Sequence, residues 1–341
     1  MKTLSEILHF AIQNNASDVH LSSGMYPMLR VLGKIKSVTD EPIPHRQLEQ
    51  MLREILDEEQ RRKFENREDI DFSFTMPGVA RVRVNIFHHF EGISAAFRVL
   101  PSRIRSLEEL HMPPVLKELC KRKKGMILVT GPTGSGKSST LAAMIHQINM
   151  TRSEHIITIE DPIEYVHASK YSIIHQREVG THTRGFAESL RSALREDPDI
   201  ILVGEMRDLE TISQALTAAE TGHLVLSTLH TNSAPETIDR IVDAFPGEQQ
   251  TQIRVLLANV LVAVISQRLI PMQFKQDRIA LMEILIGSKA VGNLIREGKS
   301  HQLSTVMQTG SEFGMQTFEQ HFKKLVQQNL VSPNLNLGDY L

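Results

Sequence analysis

The stretch that decides the fold is MILVTGPTGSGKSS, residues 126–139, in which an apolar strand runs into a glycine-rich turn. Residues 131–138 fit the pattern G-x-x-x-x-G-K-[ST] without a mismatch. Glycines in such a turn allow successive backbone amides to converge on a phosphate, while the following helix presents its amino terminus to the same charge. A glycine turn without a ligand is the alternative, but the strand before it and the helix after it favour nucleotide binding.

The pattern assigns a role to each part of this loop. Lys137 is expected to reach the β- and γ-phosphate oxygens of ATP, and Ser138 is expected to ligate Mg²⁺. The predicted nucleotide-binding residues are Gly131, Pro132, Thr133, Gly134, Ser135, Gly136, Lys137, Ser138 and Ser139.

Composition sets the outer limits. The chain has 341 residues, 41% of them hydrophobic, which is enough for two packed domains. The net charge of −2 gives no overall field that would attract nucleic acid or an anionic membrane. Cys120 is the single cysteine, which excludes a disulfide framework and a cysteine-rich zinc site. The amino terminus has no signal-peptide pattern, so we expect a soluble cytosolic protein.

Hydrophobic periodicity divides the chain near residue 100. The first domain, residues 1–100, is predicted to be a small α+β unit that begins with a helix over Leu4 to Asn14. Two alternating strands, Val79 to Phe87 and Ile93 to Val99, are expected near its end. Residues 101–112 have the composition of a linker.

The second domain, residues 113–341, alternates between predicted strands and helices from residue 126 to residue 228. This alternation predicts an α/β fold with a parallel sheet between helices, whose ligands collect at the carboxyl ends of the strands. The remainder, Pro235 to Leu341, is expected to be mostly helical, with one hairpin around Gln276 to Arg278.

Two of the predicted strands end in carboxylates. The strand His155 to Ile159 leads into EDPIE, which contains Glu160 and Glu164, and we place it one position over from the phosphate loop. Clustered carboxylates repel one another unless a cation is near, so this end is expected to face the nucleotide; an acidic surface turn is the alternative. The strand Asp199 to Val203 leads into Glu205, which is expected to hold Mg²⁺, commonly through water.

Two histidines, His223 and His230, stand at opposite ends of the predicted strand Leu224 to Thr228. Only His230 can therefore lie at the nucleotide end, and it is the better candidate for a sensor of the γ-phosphate. His223 is equally well explained by a role in the fold or in a subunit contact. Two histidines seven residues apart lack the further ligands that zinc requires.

Arginines give a less obvious signal in the first domain. Apolar residues fill one face of its last two strands, and Arg83 and Arg98 lie on the other face. If the turn centres near residues 90 and 91, Arg83 pairs directly with Arg98, and such a like-charged pair suggests a bound anion. Arg191 and Arg195, one helical turn apart, follow the same logic. Pairing of these arginines with surface carboxylates is the alternative.

The chain closely resembles the secretion ATPase superfamily, because four boxes stand in that family's order. They are the phosphate loop, the acidic box at 160–164, LRSALREDPD (190–199) leading to GEMRD (204–208), and TGHLVLSTLHT (221–231). The opening ASDVHL (16–21) and the tail GSEFGMQT (310–317) are similar to the pilus retraction members of the family.

The resemblance implies a hexameric ring whose subunits join a PAS-like N-terminal domain to a RecA-like ATPase domain, with nucleotide between the two. It implies that Glu164 polarises the attacking water, although the sequence alone does not separate it from Glu160, and that Glu205 stands on the Mg²⁺ side. The further candidate catalytic residues are Lys137, Arg83, Arg98, Arg191, Arg195, Arg207, His230 and His223.

The resemblance also implies a function and partners. The expected activity is ATP hydrolysis that powers type IV pilus retraction and twitching motility, with no direct contact to nucleic acid. The expected partners are an inner-membrane pilus platform protein, which would hold the ATPase at the membrane periphery, and a paralogous retraction ATPase.

One departure from the family concerns its C-terminal retraction segment. Gly292 stands where retraction members carry an arginine, which lowers helix propensity and removes a charge, and this puts mechanical coupling in doubt more than hydrolysis. The alternatives to retraction are a pilus-extension or type II secretion assembly ATPase, a nucleic-acid translocase, and a nucleotide-gated scaffold with little turnover.

Overall fold

The computed structural model describes residues 3–31, 33–38, 41–76, 80–100, 103–275 and 277–340. The chain divides into two compact units, Met1–Arg103 and Ile104–Leu341. Each unit has its own sheet and its own hydrophobic core. This division differs from the predicted linker at residues 101–112, because residues from Ile104 onward belong to the second unit and Leu107 is buried in that unit's core.

The first unit is an α+β structure built on one antiparallel sheet. Its elements are α1 (Leu4–Gln13), β1 (Asp18–Ser22), β2 (Met28–Val31), β3 (Lys34–Ser37), α2 (His45–Arg53), α3 (Glu58–Glu65), β4 (Ile70–Met76), β5 (Ala80–His89) and β6 (Gly92–Val99). The strand order is β3-β2-β1-β6-β5-β4. Along β5 the apolar residues Val82, Val84 and Ile86 are buried, as their alternation predicts. Val79, the predicted first residue of this strand, lies outside the described residues.

The second unit contains the phosphate loop. Its elements are α4 (Val115–Leu119), β7 (Gly125–Thr130), α5 (Lys137–Thr151), β8 (His155–Glu160), β9 (Ile173–Glu178), α6 (Phe186–Ala193), β10 (Ile200–Val203), α7 (Leu209–Glu220), β11 (Leu224–Leu229), α8 (Ala234–Asp243), α9 (Gly247–Val260), β12 (Leu261–Pro271), β13 (Arg278–Ile286), α10 (Lys289–Arg296), α11 (Leu303–Thr309) and α12 (Phe318–Gln327).

The sheet of the second unit has the order β13-β12-β7-β11-β10-β8-β9. Neighbouring strands are parallel except for the antiparallel pair β12 and β13, so the predicted α/β fold with a mostly parallel sheet is confirmed. The strand that ends in the acidic box, β8, is separated from β7 by β11 and β10. Its predicted position, one over from the phosphate loop, is therefore wrong.

The C-terminal part of the second unit contains two long strands where the sequence predicts mostly helix. β12 and β13 together form an antiparallel hairpin, and β12 also extends the parallel part of the sheet through β7. The predicted hairpin turn falls at this place, although Gln276 itself lies outside the described residues.

The outer strand β13 is covered by the chain that follows it. The backbone N–H of Met282 donates to Nδ1 of His321 at 2.9 Å, and Nε2 of Gln316 donates to the Met282 carbonyl at 3.2 Å. The backbones of Ile284 and Gln316 also exchange hydrogen bonds. These contacts take up edge groups of Met282 and Ile284 that could otherwise pair with another strand. Among the described residues, no helix combines the length and the apolar character that crossing a bilayer requires.

Candidate functional site

The phosphate loop leaves the centre of the sheet between its two neighbouring strands. It connects β7 to α5, and β7 lies between β12 and β11. Gly131 has a φ of 142° and Gly136 a φ of 87°, conformations that L side chains rarely adopt. A Cβ atom on Gly131 would also lie 2.3 Å from the carbonyl oxygen of Gln267, so this position has no room for any other residue. No side chain among the described residues caps the amino terminus of α5, whose first amides point out of the helix toward the loop.

Two polar side chains of the loop are buried in ways that fit a phosphate ligand. Lys137 is 9% exposed, and its Nζ donates to the carbonyl oxygens of Gly131 at 2.9 Å and Pro132 at 3.1 Å. Burial lowers the pKa of Lys137, whereas the carboxylates of Glu205 and Glu164 act in the opposite direction. Oγ of Ser135 is buried without a hydrogen-bond partner among the described residues. A buried hydroxyl without a partner and an uncapped helix terminus are the features expected of a nucleotide phosphate site.

The carboxylate after β10 lies beside an arginine and a histidine. Oε2 of Glu205 forms an ion pair with Arg207, 2.7 Å from its Nε, and lies 3.6 Å from Nε2 of His230. Burial lowers the pKa of His230, with a further contribution from the charge of Lys137. The carboxyl ends of β7, β10 and β11 therefore bring Lys137, Glu205, Arg207 and His230 together.

The two glutamates of the acidic box have different surroundings. Oε1 of Glu160 accepts hydrogen bonds from Oγ1 of Thr158 at 2.6 Å and Nε2 of Gln176 at 3.1 Å, and burial raises the pKa of Glu160. Glu164 instead contributes to the field at Lys137. Glu160 is thus held by hydrogen bonds within the sheet, whereas the charge of Glu164 acts on Lys137.

The loop that follows the acidic box is anchored to α5. Oη of Tyr165 and Oγ of Ser139 lie 2.7 Å apart in a hydrogen bond, and Gln176 donates to the Tyr165 carbonyl at 2.8 Å. Ser139, predicted to bind nucleotide, therefore has a protein partner. Gln176 was not singled out by the sequence analysis, because its role depends on β9, a strand that the sequence pattern did not predict.

His223 immediately precedes β11, at the amino ends of the parallel strands, whereas the phosphate loop lies at their carboxyl ends. Its Nδ1–H donates to the carbonyl of Ala218 at the end of α7, 3.0 Å away. This hydrogen bond gives His223 a local structural role. His223 lies away from Lys137, Glu205 and His230, which gather at the other end of β11.

The arginines of the first unit occupy the positions that the alternation predicts. Arg83 and Arg98 are direct partners across β5 and β6. Arg83 forms a bidentate pair with Asp71 at 2.6 and 3.1 Å, and Nε of Arg98 donates to Asp18 at 3.0 Å. Carboxylates on neighbouring strands compensate both charges, so the argument that this pair needs a bound anion does not hold.

Arg191 of α6 and Arg195, which follows that helix, also have partners within the second unit. Nη2 of Arg191 lies 2.5 Å from Oε1 of Glu210 in the neighbouring helix α7, and both side chains are exposed. Arg195 donates to the carbonyl of Arg191 at 3.2 Å. The positive charge of Arg191 is therefore compensated by Glu210, a carboxylate of the same unit, and needs no bound phosphate.

The structure adds one buried residue that the sequence analysis missed. Gln267 is 0% exposed on β12, between the buried polar residues Ser266 and Arg268, and it contacts the phosphate loop directly. The available signal was a short polar run, residues 266–268, between stretches of aliphatic residues, because buried polar groups must find partners inside the fold.

Fold and loop together define the class: an α/β nucleotide-binding protein whose site lies at the strand ends. The family described as type II/IV secretion system protein matches residues 1–290, and the chain belongs to this family.

Two relatives and one solved structure extend over most of the chain. The chain is 52% identical over 329 residues to the type IV pilus retraction ATPase PilT of Pseudomonas aeruginosa, covering 96% of this chain and 95% of the relative. It is 52% identical over 307 residues to a twitching motility protein of Neisseria gonorrhoeae, covering 90% and 82%. The crystal structure of the pilus retraction motor PilT with bound ADP matches with a TM-score of 0.90 at 49% identity, covering 97% of this chain and 95% of that one.

Proposed function

We propose that this protein is a motor ATPase that hydrolyses ATP to retract a type IV pilus and so powers twitching motility. The observation that carries the proposal is the meeting of Lys137, Glu205 and His230 at the strand ends of a fold that matches the retraction motor over nearly its whole length. The relatives named for retraction and twitching motility support the mechanical role.

Lys137 supplies positive charge to the phosphates. Its ammonium group now donates to two carbonyl oxygens of its own loop, and it exchanges these for β- and γ-phosphate oxygens when ATP binds. The burial of Lys137 strengthens this interaction because little water competes for the charge.

Glu164 orients the attacking water and accepts its proton. It is better suited than Glu160, because the carboxylate of Glu160 is already held by hydrogen bonds from Thr158 and Gln176. His230 lies beside Glu205, where an imidazole is placed to report the presence of the γ-phosphate.

Mg²⁺ is the metal that the donor set fits. The hydroxyl of Ser138 and the carboxylate of Glu205 would hold it, directly or through water, and hard oxygen donors of this kind suit that ion. When bound, Mg²⁺ supplies neutralisation of the charge on the β- and γ-phosphates. Arg207 fixes the orientation of the Glu205 carboxylate.

The arginines of the first unit remain a proposal that rests on the family resemblance alone. Arg83 and Arg98 would have to exchange Asp71 and Asp18 for phosphate oxygens. This exchange costs less for the exposed pair of Arg83 and Asp71 than for Arg98, because the Asp18 side chain is only 15% exposed. Arg191, Arg195 and His223 are not needed for the proposed chemistry, since contacts within the second unit account for Arg191 and His223.

The proposal includes the assembly that the resemblance implies. In it the protein forms a homo-hexamer of PAS-like and RecA-like domains and works at the periphery of the inner membrane, through a pilus platform protein and beside a paralogous retraction ATPase.

Deleting the gene in its host tests the retraction function. Piliated cells that do not twitch are the expected phenotype, and cells without pili would move the assignment to pilus extension. A matched strain that carries Glu164→Gln should resemble the deletion. Equal steady-state phosphate release by the purified parent and this variant would instead support a scaffold with little turnover.

A further inference from the structure

The strand β12 runs beside the strand that carries the phosphate loop. Ser266 of β12 is in register with Thr130, the last residue of β7, and their hydroxyl groups are hydrogen-bonded at 2.8 Å. The next residue along β12, Gln267, is therefore level with the first glycine of the loop. This register places a fully buried amide side chain directly against the loop.

Gln267 makes one hydrogen bond to the loop and one to the helix after it. Its Nε2 donates to the carbonyl of Ser135 at 2.5 Å, and its Oε1 accepts from Oγ1 of Thr140 at 2.8 Å. The loop also packs closely on this residue, because a Cβ on Gly131 would meet the Gln267 carbonyl and a Cβ on Gly136 would lie 3.2 Å from its Nε2. Gln267 thus contacts the loop at its beginning and at its end.

These bonds differ from those that Lys137 makes to the same loop. Lys137 holds the carbonyls of Gly131 and Pro132, but it must release them when its ammonium group turns to phosphate. The partners of Gln267 are the carbonyl oxygen of Ser135, which a phosphate repels, and the hydroxyl of Thr140, whose hydrogen already has an acceptor. The Gln267 contacts can therefore persist with and without nucleotide.

We propose that Gln267 is a positioning residue that holds the phosphate loop in its anion-binding conformation before nucleotide arrives. A loop that occupies this conformation only part of the time binds with an affinity reduced by that fraction. The inference rests on the nucleotide-binding part of the proposed function and concerns affinity rather than the chemical step.

The test is Gln267→Met, which keeps the length of the side chain and removes both hydrogen bonds. We expect the dissociation constant for ADP, measured by calorimetry, and KM for ATP to rise by about tenfold, with kcat changed by less than about threefold. Hydrogen exchange of the amides at residues 131–140 in the nucleotide-free protein should become faster.

Gln316→Met is the matched control, because Gln316 is also buried and hydrogen-bonded in the second unit but contacts β13 instead of the loop. It should destabilise the unit to a similar degree and leave ADP affinity within about twofold of the parent. An ADP affinity of Gln267→Met within about twofold of the parent would overturn the proposal, as would an equal loss in the Gln316 variant.

Thr140→Val provides a second test if Gln267→Met does not fold. This variant removes the hydroxyl that donates to Gln267 and preserves the shape of the side chain. It should weaken ADP binding by about threefold or more, and unchanged binding would overturn the proposal. In the double variant the two losses should not add, since they remove one shared contact. ADP binding needs no turnover, so a protein that fails to hydrolyse ATP or to retract pili would refute the proposed function without affecting this test.

Discussion

Two edges of the same seven-stranded sheet differ in whether their polar groups have hydrogen-bond partners. At the lateral edge, the N–H and C=O of Met282 on β13 are taken up by His321 and Gln316. At the carboxyl edge, the hydroxyl of Ser135 has no partner among the described residues and α5 begins without a side-chain cap. The groups of Met282 find their partners within the chain, whereas the groups at the carboxyl edge are placed for a ligand.

The difference separates structural polar residues from functional ones more clearly than residue type does. Both edges contain a buried glutamine, a histidine and a lysine. Those at the lateral edge should affect stability alone, whereas those at the carboxyl edge should affect nucleotide binding or turnover. The following variants test this separation.

Lys137→Met should have the largest effect. Loss of the ammonium group that faces the phosphates is expected to lower ATP turnover by about 10²- to 10³-fold and to weaken ADP binding, as measured by phosphate release and calorimetry. Lys324→Met is the lateral-edge control, because Nζ of Lys324 donates to Oε1 of Gln316 at 2.9 Å. A similar loss of turnover in the Lys324 variant would contradict the separation between the two edges.

Glu164→Gln should lower kcat by about 10²-fold with little change in KM, because it removes the proposed base and keeps the shape of the side chain. Glu160→Gln should be milder, since an amide oxygen can still accept from Thr158 and Gln176. Single-turnover hydrolysis by the two variants decides the assignment. A larger loss in the Glu160 variant would exchange the two roles.

His230→Gln and His223→Gln compare the two ends of β11. The first should lower kcat by about tenfold, because His230 lies 3.6 Å from Glu205 beside the phosphate loop. The second should leave kcat within about twofold, since Nδ1 of His223 donates to a backbone carbonyl at the opposite end of the strand. Equal losses in steady-state turnover would show that the far end of the strand also takes part in the reaction.

Much of the architecture could be predicted from the sequence because local patterns determine it. Alternation in β5 and β6 predicts both strands and places Arg83 opposite Arg98, and the phosphate-loop pattern fixes the junction of β7 and α5. β12 was missed because a continuous apolar run does not distinguish a buried strand from a buried helix. β3 was missed because its residues are exposed and carry no apolar periodicity.

The site was less predictable where it depends on tertiary contacts. The like-charged pair of Arg83 and Arg98 pointed to an anion, but Asp71 and Asp18 approach from neighbouring strands whose register the sequence did not supply. The role of Gln267 depends on β12 lying beside β7, which strand periodicity does not indicate. The proposed preference for Glu164 over Glu160 likewise depends on the position of Gln176, which lies on a strand absent from the prediction.

His321 at the lateral edge should make the stability of the protein depend on pH. Burial lowers the pKa of His321 from 6.5 to about 4, and its neutral Nδ1 accepts from Met282. The unfolded chain therefore binds this proton more readily than the folded one. The stabilisation is complete above about pH 6.5 and decreases as the pH falls toward 4, by up to about 3 kcal/mol.

His321→Asn should remove this dependence, because an amide oxygen replaces the Nδ1 acceptor without titrating. Calorimetric melting of the parent and the variant between pH 7.5 and pH 4.5 should show the parent losing more stability on acidification. His167, whose pKa is also lowered to about 4, remains in both proteins, so the difference between them isolates His321. ADP affinity at pH 7.5 should be the same in both. A variant with weaker ADP binding would mean that the lateral edge also controls the nucleotide site, and a melting difference independent of pH would mean that the pKa of His321 is the same in the folded and unfolded chain.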